Sequence, residues 1–160
     1  MRLLFAILLL GIALPAHAEE IGKVSTKWRM LTPNDKLVVE VFDDPKIDGV
    51  SCYVTQPEKG GVKGTLGLAE EVSDVSIACR QTGPITFKEP FEQGEAVFRE
   101  SRSLIFKRMR VVRYWDDPRN TLVYLSYSDR PIEGSPKNST SAVTATPWGT
   151  QTPGKPVIKD

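Results

Sequence analysis

The sequence predicts one mainly β domain, an antiparallel sandwich or a partly closed barrel that carries one short helix. Two observations lead to this fold class. Short runs rich in Val, Tyr and Phe are bounded by Gly, Pro, Asn and Asp, which is the pattern of strands joined by turns. The only convincing helical segment, residues 66–72, is about two turns long and follows a glycine-rich stretch.

Two predicted hairpins share one sequence form, Val-Val-x-x-aromatic-Asp-Asp-Pro-basic. Their turns are Asp43–Lys46 and Asp116–Arg119, in which proline fixes φ and the aspartates can bond to their own backbone. Convergent turn chemistry explains a single shared motif at least as well as an internal duplication does. The four strands of these hairpins are predicted at residues 36–42, 49–56, 110–115 and 122–127.

Further strands are predicted around the hairpins. An N-terminal strand is expected within residues 19–32, with Trp28 and Met30 as its docking points. Because no turn residues separate residues 96–107 from residues 109–115, we expect one long strand there that bends or bulges, with even-numbered positions facing the core. Shorter strands are expected at residues 75–80 and 85–87.

The N-terminus is predicted to be a cleavable export signal. Arg2 precedes an uncharged, mostly aliphatic run from Leu3 to Leu14, and the Ala-His-Ala sequence that ends at Ala18 fits a cleavage site. A bilayer-spanning helix needs roughly 20 apolar residues, so an uncleaved anchor is the weaker interpretation. The predicted division is residues 1–18 as signal, residues 19–140 as one β-rich domain and residues 141–160 as a disordered tail rich in Thr and Pro.

Removing the export signal leaves a neutral chain without histidine. Arg2 accounts for the excess of 21 basic over 20 acidic residues, and His17 is the only histidine. A neutral domain has no long-range field that would attract nucleic acid or acidic lipid. Without histidine, Ser-His-Asp and Cys-His mechanisms and histidine-ligated metal sites are excluded. We therefore predict no cofactor, no metal site, no nucleic-acid partner and no membrane insertion after cleavage.

Cys52 and Cys79 are the only cysteines. In an oxidising compartment such a pair is most simply a structural disulfide, here one that joins two predicted strands. A redox-active pair or a thiolate metal site is disfavoured, because the spacing is far from Cys-x-x-Cys and two thiolates cannot complete a tetrahedral zinc site.

Two loops carry the candidate binding residues. The glycine-rich residues 60–67, with Lys63, could form an anion cradle before the predicted helix, although the spacing differs from a P-loop and a plain flexible connection is the commoner explanation. In the second loop, Ser135 and Lys137 are the ingredients of a Ser-Lys nucleophile pair, but side chains two residues apart beside a proline rarely meet. The predicted ligand or partner surface comprises Gly61, Lys63, Gly64, Glu133, Ser135, Lys137 and Asn138.

The acid pairs Asp43-Asp44 and Asp116-Asp117 are a third candidate. Paired carboxylates can bind calcium or serve as general acid and base. Aspartates before a proline are also ordinary turn formers, and we favour that interpretation.

Aromatic residues cluster on the second hairpin. Such a patch could stack on sugars or bind a partner protein. Because the side chains of a strand alternate between two faces, about half of these rings are expected to belong to the core. The cluster consists of Tyr114, Trp115, Tyr124 and Tyr127, with Arg110 and Arg113 among them.

Short stretches spread over the chain have the order found in a known family. They are Ala18–Gly22, Val38–Pro45, Cys52–Val54, Gly61–Gly64, Gly67–Glu70, Cys79–Gln81, Gly83–Ile85, Tyr127–Asp129 and Glu133–Asn138. With them the chain resembles the CreA-type periplasmic proteins, labelled "catabolite regulation", over nearly its whole length to about Trp148. The resemblance implies a periplasmic location in a Gram-negative bacterium and a structural disulfide, and it supplies no activity and no catalytic residues.

Two functional hypotheses follow from these observations. The first is a non-enzymatic binding or accessory protein of the cell envelope, whose partner is an envelope protein or a small anionic ligand. The second is a histidine-free hydrolase that acts through carboxylates, which would need two acids about 5–10 Å apart across a cleft.

Overall fold

The computed structural model of the chain describes residues 18–28, 30–31, 33–58, 60, 75–101, 108–129 and 137–159. These residues form ten strands and one turn of 3-10 helix, at Asp117–Arg119, and contain no α-helix. The strands are β1 (Glu19–Lys27), β2 (Asp35–Asp43), β3 (Ile47–Glu58), β4 (Ser76–Phe87), β5 (Phe91–Glu92), β6 (Glu95–Ser101), β7 (Arg108–Asp116), β8 (Thr121–Asp129), β9 (Asn138–Thr144) and β10 (Ile158–Lys159).

Antiparallel pairing joins eight of the strands into two four-stranded sheets. The first has the order β1-β2-β3-β4 and the second the order β6-β7-β8-β9, while β5 and β10 form a short parallel pair. Within each of these two sheets every strand pairs with its neighbour in sequence, as consecutive strands usually do. The sheets do not close into a barrel. The predicted mainly β fold is therefore confirmed, in its sandwich form.

The core lies between the two sheets, and side chains alternate into it along each strand. Phe42 of β2 stacks on Phe98 of β6, with the ring centroids 4.6 Å apart. On β7, Val111 and Trp115 are buried on the inner face, whereas Tyr114 is exposed on the outer face. The aromatic residues that precede the two Asp-Asp-Pro turns, Phe42 and Trp115, are thus both anchored in the core.

The edges of the two sheets meet along β4 and β9. The Cys79 backbone N–H donates to the Ser141 Oγ at 2.8 Å, and the Thr146 hydroxyl donates to the Gln81 Oε1 at 2.6 Å. The predicted disulfide is confirmed beside this edge, since Cys52 of β3 lies opposite Cys79 of β4 and is bonded to it. One covalent bond and side-chain hydrogen bonds therefore hold β3, β4 and β9 together.

The single long strand predicted over residues 96–115 is wrong, because the chain turns back within it. β6 and β7 are separate strands that pair antiparallel, with Ser101 opposite Arg108. Residues 102–107 contain no Gly, Pro, Asn or Asp, which is why the sequence predicted one continuous strand. The expected irregularity is present as a register shift between Ala96 and Phe98. On β7 the odd-numbered residues, not the even-numbered ones, face the core.

Both ends of the domain differ from expectation. Trp28 and Met30, predicted to dock in the core, are 72% and 77% exposed. The segment predicted to be a disordered tail contains the end of β9, the buried Ala145, and β10, where Ile158 packs against the core. The Thr- and Pro-rich composition of the tail concealed this, because few of its residues are apolar.

The other predicted strands are confirmed with bounds that differ by a few residues. The two short strands expected at residues 75–80 and 85–87 are one continuous strand, β4. The predicted helix at residues 66–72 and the export signal before Ala18 lie outside the described residues. In the described part of the chain, no helix has the length and apolar character needed to cross a membrane.

Candidate functional site

The turn between β2 and β3 directs one of its two aspartates into the core. The Asp44 Oδ1 accepts a hydrogen bond from the Lys46 backbone N–H at 2.9 Å, the local bond expected of an aspartate in a proline turn. The Asp44 side chain is nonetheless fully buried. Its neighbour Asp43 is exposed and accepts a hydrogen bond from the Ser51 hydroxyl at 2.6 Å. The turn therefore places one carboxylate between the two sheets.

Arg113 of β7 reaches the same place from the other sheet. Its side chain is fully buried; Nη1 donates to the Asp44 Oδ1, and Nη2 donates to the Glu95 Oε2 at 3.1 Å. The guanidinium carbon lies 3.9 Å from the centre of the Phe91 ring, which is a cation–π contact. A buried cation is costly unless opposite charges accept its hydrogen bonds, and the two carboxylates do so here.

Tyr124 and Lys46 complete this group of side chains, which we call the Arg113 cluster. The Tyr124 hydroxyl donates to the Asp44 Oδ2 at 2.9 Å. Burial, together with the neighbouring Asp44 charge, raises the pKa of Tyr124 well above its ordinary value. The Lys46 Nζ lies 2.5 Å from the Glu95 Oε1. The Arg113 cluster comprises Asp44, Lys46, Phe91, Glu95, Arg113 and Tyr124.

The Arg113 cluster is balanced in charge, and its buried carboxylate is fully occupied. Two cations, Lys46 and Arg113, face two carboxylates, Asp44 and Glu95. Both Asp44 oxygens already accept hydrogen bonds, one from the Lys46 N–H and Arg113, the other from Tyr124. A general base needs an oxygen that can reach its substrate. The geometry therefore suits a tie between the sheets better than a catalytic centre.

The matching turn between β7 and β8 keeps its second aspartate at the surface. The Asp117 Oδ1 accepts hydrogen bonds from the Lys155 Nζ at 2.7 Å and from the Trp115 Nε1 at 3.1 Å. The Lys155 bond, and after it the Trp115 bond, hold the pKa of Asp117 below its ordinary value. Asp116 forms an ion pair with Arg119 at 2.9 Å. Of the two turns, only the first sends an aspartate inward and bonds it to the turn backbone.

Neither acid pair belongs to a metal-binding group among the described residues. In that part of the chain, no three or more His, Cys, Asp or Glu side chains are placed to hold one ion. The contacts that these aspartates make are a turn hydrogen bond and ion pairs.

A surface depression of about 380 Å³ lies at the ends of β2 and β3 that are remote from the Asp44 turn. Strand β4 contributes its first residue and the residue before it, and β9 contributes its first residue from the second sheet. We call this feature the loop-end depression. Its described lining residues are Leu37, Thr55, Pro57, Val75, Ser76, Lys137 and Asn138.

The predicted ligand or partner surface is described at two positions. Lys137 and Asn138 are both exposed, and both line the loop-end depression. Val75, the first described residue after residues 61–74, lines the same depression. The depression therefore lies beside the starts of β4 and β9. The remaining predicted residues, Gly61, Lys63, Gly64, Glu133 and Ser135, lie outside the described residues.

The aromatic side chains of the second hairpin alternate between the core and the outer face, as expected. Trp115 and Tyr124 face inward and are buried, and Arg113 lies with them. Tyr114 and Tyr127 face outward and border an open groove of about 510 Å³ on the outer face of β7 and β8. Half of the rings are thus core, and half remain at the surface.

The sequence does not identify Arg113 as the partner of Asp44, nor Glu95 as a partner of Arg113. One signal is present, since Arg113 is the charged residue between the buried Val111 and Trp115 on one face of β7. A charge on an otherwise apolar face requires a buried counter-charge. That signal does not say which carboxylate supplies it, because the answer depends on how the two sheets are superposed.

Fold and site together define a class of protein, an antiparallel β sandwich tied by a disulfide and by buried ion pairs between its sheets. The CreA protein family model matches residues 21–148. The chain is similar to Protein CreA of Escherichia coli strain K12, strain CFT073 and serotype O157:H7, each 49% identical over 151 residues that cover 92% of this chain and 96% of the relative. The chain therefore belongs to the CreA family. No solved structure matches it.

Proposed function

We propose that this CreA-family protein is a non-enzymatic binding protein of the periplasm, and that it holds an anionic group at the loop-end depression. The observation that carries the proposal is the presence of Lys137 in a depression to which both sheets contribute. It brings an exposed lysine to a concave surface lined in part by Leu37 and Pro57. A concave, partly apolar site with a small number of charged groups is the usual form of a ligand site.

The state of the buried carboxylate supports binding over hydrolysis. Asp44 is enclosed between the sheets with both oxygens engaged. One observation favours the alternative of a histidine-free hydrolase, since Asp44 and Glu95 flank the same guanidinium. The two functions differ in what Asp44→Asn should do. A catalytic carboxylate can be replaced without loss of stability, whereas the role described here requires a large loss.

The periplasmic location is supported by the export-signal pattern that ends at Ala18 and by the relatedness to proteins of a Gram-negative bacterium. N-terminal sequencing of protein released by osmotic shock should begin at Glu19. Recovery of the chain from the cytoplasmic fraction with Met1 retained would contradict this location.

Binding can be tested with inorganic phosphate and citrate as probes. We expect both to shift backbone amide signals of Asn138 and Ser76 in a saturable way, and Lys137→Ala to remove most of the shift because the cation is lost. Lys159→Ala is the matched control, since Lys159 is an exposed lysine on β10. Equal shifts in the wild type and in both variants would refute the proposed surface.

A protein partner can be captured in living cells by a photo-crosslinking amino acid. Asn138 and Thr144 are exposed residues at opposite ends of β9, so they form a matched pair of insertion sites. The proposal predicts a discrete crosslinked species from position 138 that competes with free anion and is absent from position 144. The same species at both positions, or one insensitive to anion, would place the partner elsewhere.

A further inference from the structure

Strand β1 is the open edge of the first sheet. Among the described residues, β1 pairs only with β2, whereas the opposite edge strand β4 lies against β9 through the Cys79–Ser141 hydrogen bond. Edge strands offer a row of backbone donors and acceptors to other chains, and proteins commonly shorten or cover them. β1 is nine residues long and keeps a regular stretch, Gly22–Ser25, between two register shifts.

Apolar side chains are exposed along this edge. Ile21 is 56% exposed and Val24 is 59% exposed, and Val24 lies opposite Leu37 of β2 in register. Beyond the strand, Trp28 and Met30 are still more exposed. Concentrated apolar exposure of this kind marks a surface that is covered in the working form of a protein.

The charges of β1 are segregated along its length. Glu19 and Glu20 stand at its first end and Lys27 at its last, while Lys23 at its middle forms an ion pair with Glu20 of the same strand. An antiparallel copy of the same strand would set the acidic end of each chain against the basic end of the other. A parallel copy would set like against like, which is destabilising between adjacent strands.

We propose that β1 pairs antiparallel with β1 of a second copy of this chain, about a two-fold axis near Val24. The two first sheets then form one continuous eight-stranded sheet. The two Val24 side chains meet on its outer face beside Leu37, because paired residues of antiparallel strands share a face. A two-fold axis makes the contact self-complementary and closed, so it forms a dimer and not a filament.

The dimer also organises the binding surface. Leu37 pairs with Val24 and lines the loop-end depression as well. Each dimer would therefore present two depressions on the same face of its eight-stranded sheet. This arrangement suits a partner with repeated anionic groups. The pairing itself does not depend on what the depression binds.

Analytical ultracentrifugation of the purified protein tests the pairing. We expect a concentration-dependent dimer for the wild type, a monomer for Val24→Asp, and an unchanged dimer for Val157→Asp. Val157 is the matched control because it is a 65% exposed valine outside β1. A wild-type chain that is monomeric at about 100 µM, where micromolar contacts are populated, overturns the proposal. So does a Val24→Asp protein that remains dimeric.

Two further variants keep the test independent of folding defects. Both native cysteines are engaged in the disulfide, so Val24→Cys adds a single reactive thiol. Mild oxidation should convert it to a covalent dimer while Val157→Cys remains monomeric. Failure of Val24→Cys to crosslink faster than Val157→Cys contradicts the pairing.

Discussion

The two Asp-Asp-Pro turns have nearly the same sequence and opposite surroundings. In the first, Asp44 is fully buried and bonded to Arg113 and Tyr124 of the other sheet. In the second, the equivalent Asp117 is exposed and bonded to Lys155 and Trp115. In both turns a proline follows the two aspartates, but the Asp44 side chain bonds to the turn backbone, whereas the Asp117 side chain bonds to Lys155 and Trp115.

The difference shows that turn sequence determines the reversal but not the role of its charges. That role depends on what the opposite sheet presents. Arg113 of β7 meets the first turn between the sheets, and it needs a counter-charge there. The second turn meets solvent and the C-terminal tail, where an ion pair such as Lys155–Asp117 is screened and contributes little.

The largest expected effect comes from removing the buried charge. Asp44→Asn leaves Arg113 buried without its main partner and should lower the free energy of unfolding by about 3 kcal/mol. Denaturant unfolding followed by circular dichroism measures it. Asp117→Asn is the matched change in the other turn and should leave the unfolding midpoint in place. Equal losses from the two variants would mean that the turns are equivalent after all.

A smaller effect is expected from the hydroxyl of Tyr124. Tyr124→Phe removes the hydrogen bond donated to Asp44 and should cost about 1–2 kcal/mol. Tyr114→Phe, at an exposed ring on the outer face of β7, is the control and should be neutral. A neutral Tyr124→Phe would show that Arg113 alone satisfies the buried carboxylate.

The same tyrosine predicts a decline of stability at alkaline pH. Because the pKa of Tyr124 is raised above its ordinary value of 10.0 in the folded chain, its contribution is complete below pH 10 and is lost as the pH rises above it. Between pH 9 and 11, the free energy of unfolding should therefore decline more steeply with pH for the wild type than for Tyr124→Phe. Equal declines in the two proteins would contradict the place of Tyr124 in the Arg113 cluster.

The smallest expected effect concerns Asp117 of the exposed turn and is seen at acidic pH. The pKa of Asp117 lies below its ordinary value of 3.8, so its contribution is present above pH 3.8 and is lost as the pH falls through the lowered value. Carboxyl NMR titration should move the Asp117 midpoint upward in Lys155→Ala. Lys155→Ala should cost little stability at pH 7, because the pair is exposed and screened; a marked loss there would give the exposed turn a structural importance that its surroundings do not suggest.

Much of the fold follows from the sequence, because strands and hairpins are local features. The two hairpins and the disulfide partners are read from alternation, turn residues and the paired cysteines. The division of residues 96–115 into β6 and β7 is not, since no Gly, Pro, Asn or Asp lies between these two strands. The ordered tail is also missed, because β10 is held by pairing with β5 and not by its own composition.

The candidate sites were also predictable only in part. The sequence singles out Lys137 and Asn138, which do lie together at a depression. It also singles out Asp44, but as a turn former. The pairing of Asp44 with Arg113, which are 69 residues apart, depends on the superposition of two sheets that no local pattern encodes.

A double-mutant cycle between Asp44 and Arg113 tests most directly whether burial between the sheets gives the first turn a stabilising ion pair that the second turn lacks. The variants are Asp44→Asn, Arg113→Met and their combination, compared by denaturant unfolding at pH 7. The single changes should each be costly, and the combination should be less destabilised than their sum by at least about 2 kcal/mol, because it removes the unpaired buried charge. The equivalent cycle for Asp117 and Lys155 should show no measurable coupling. Simple additivity at Asp44 and Arg113 would contradict the role assigned to the buried turn.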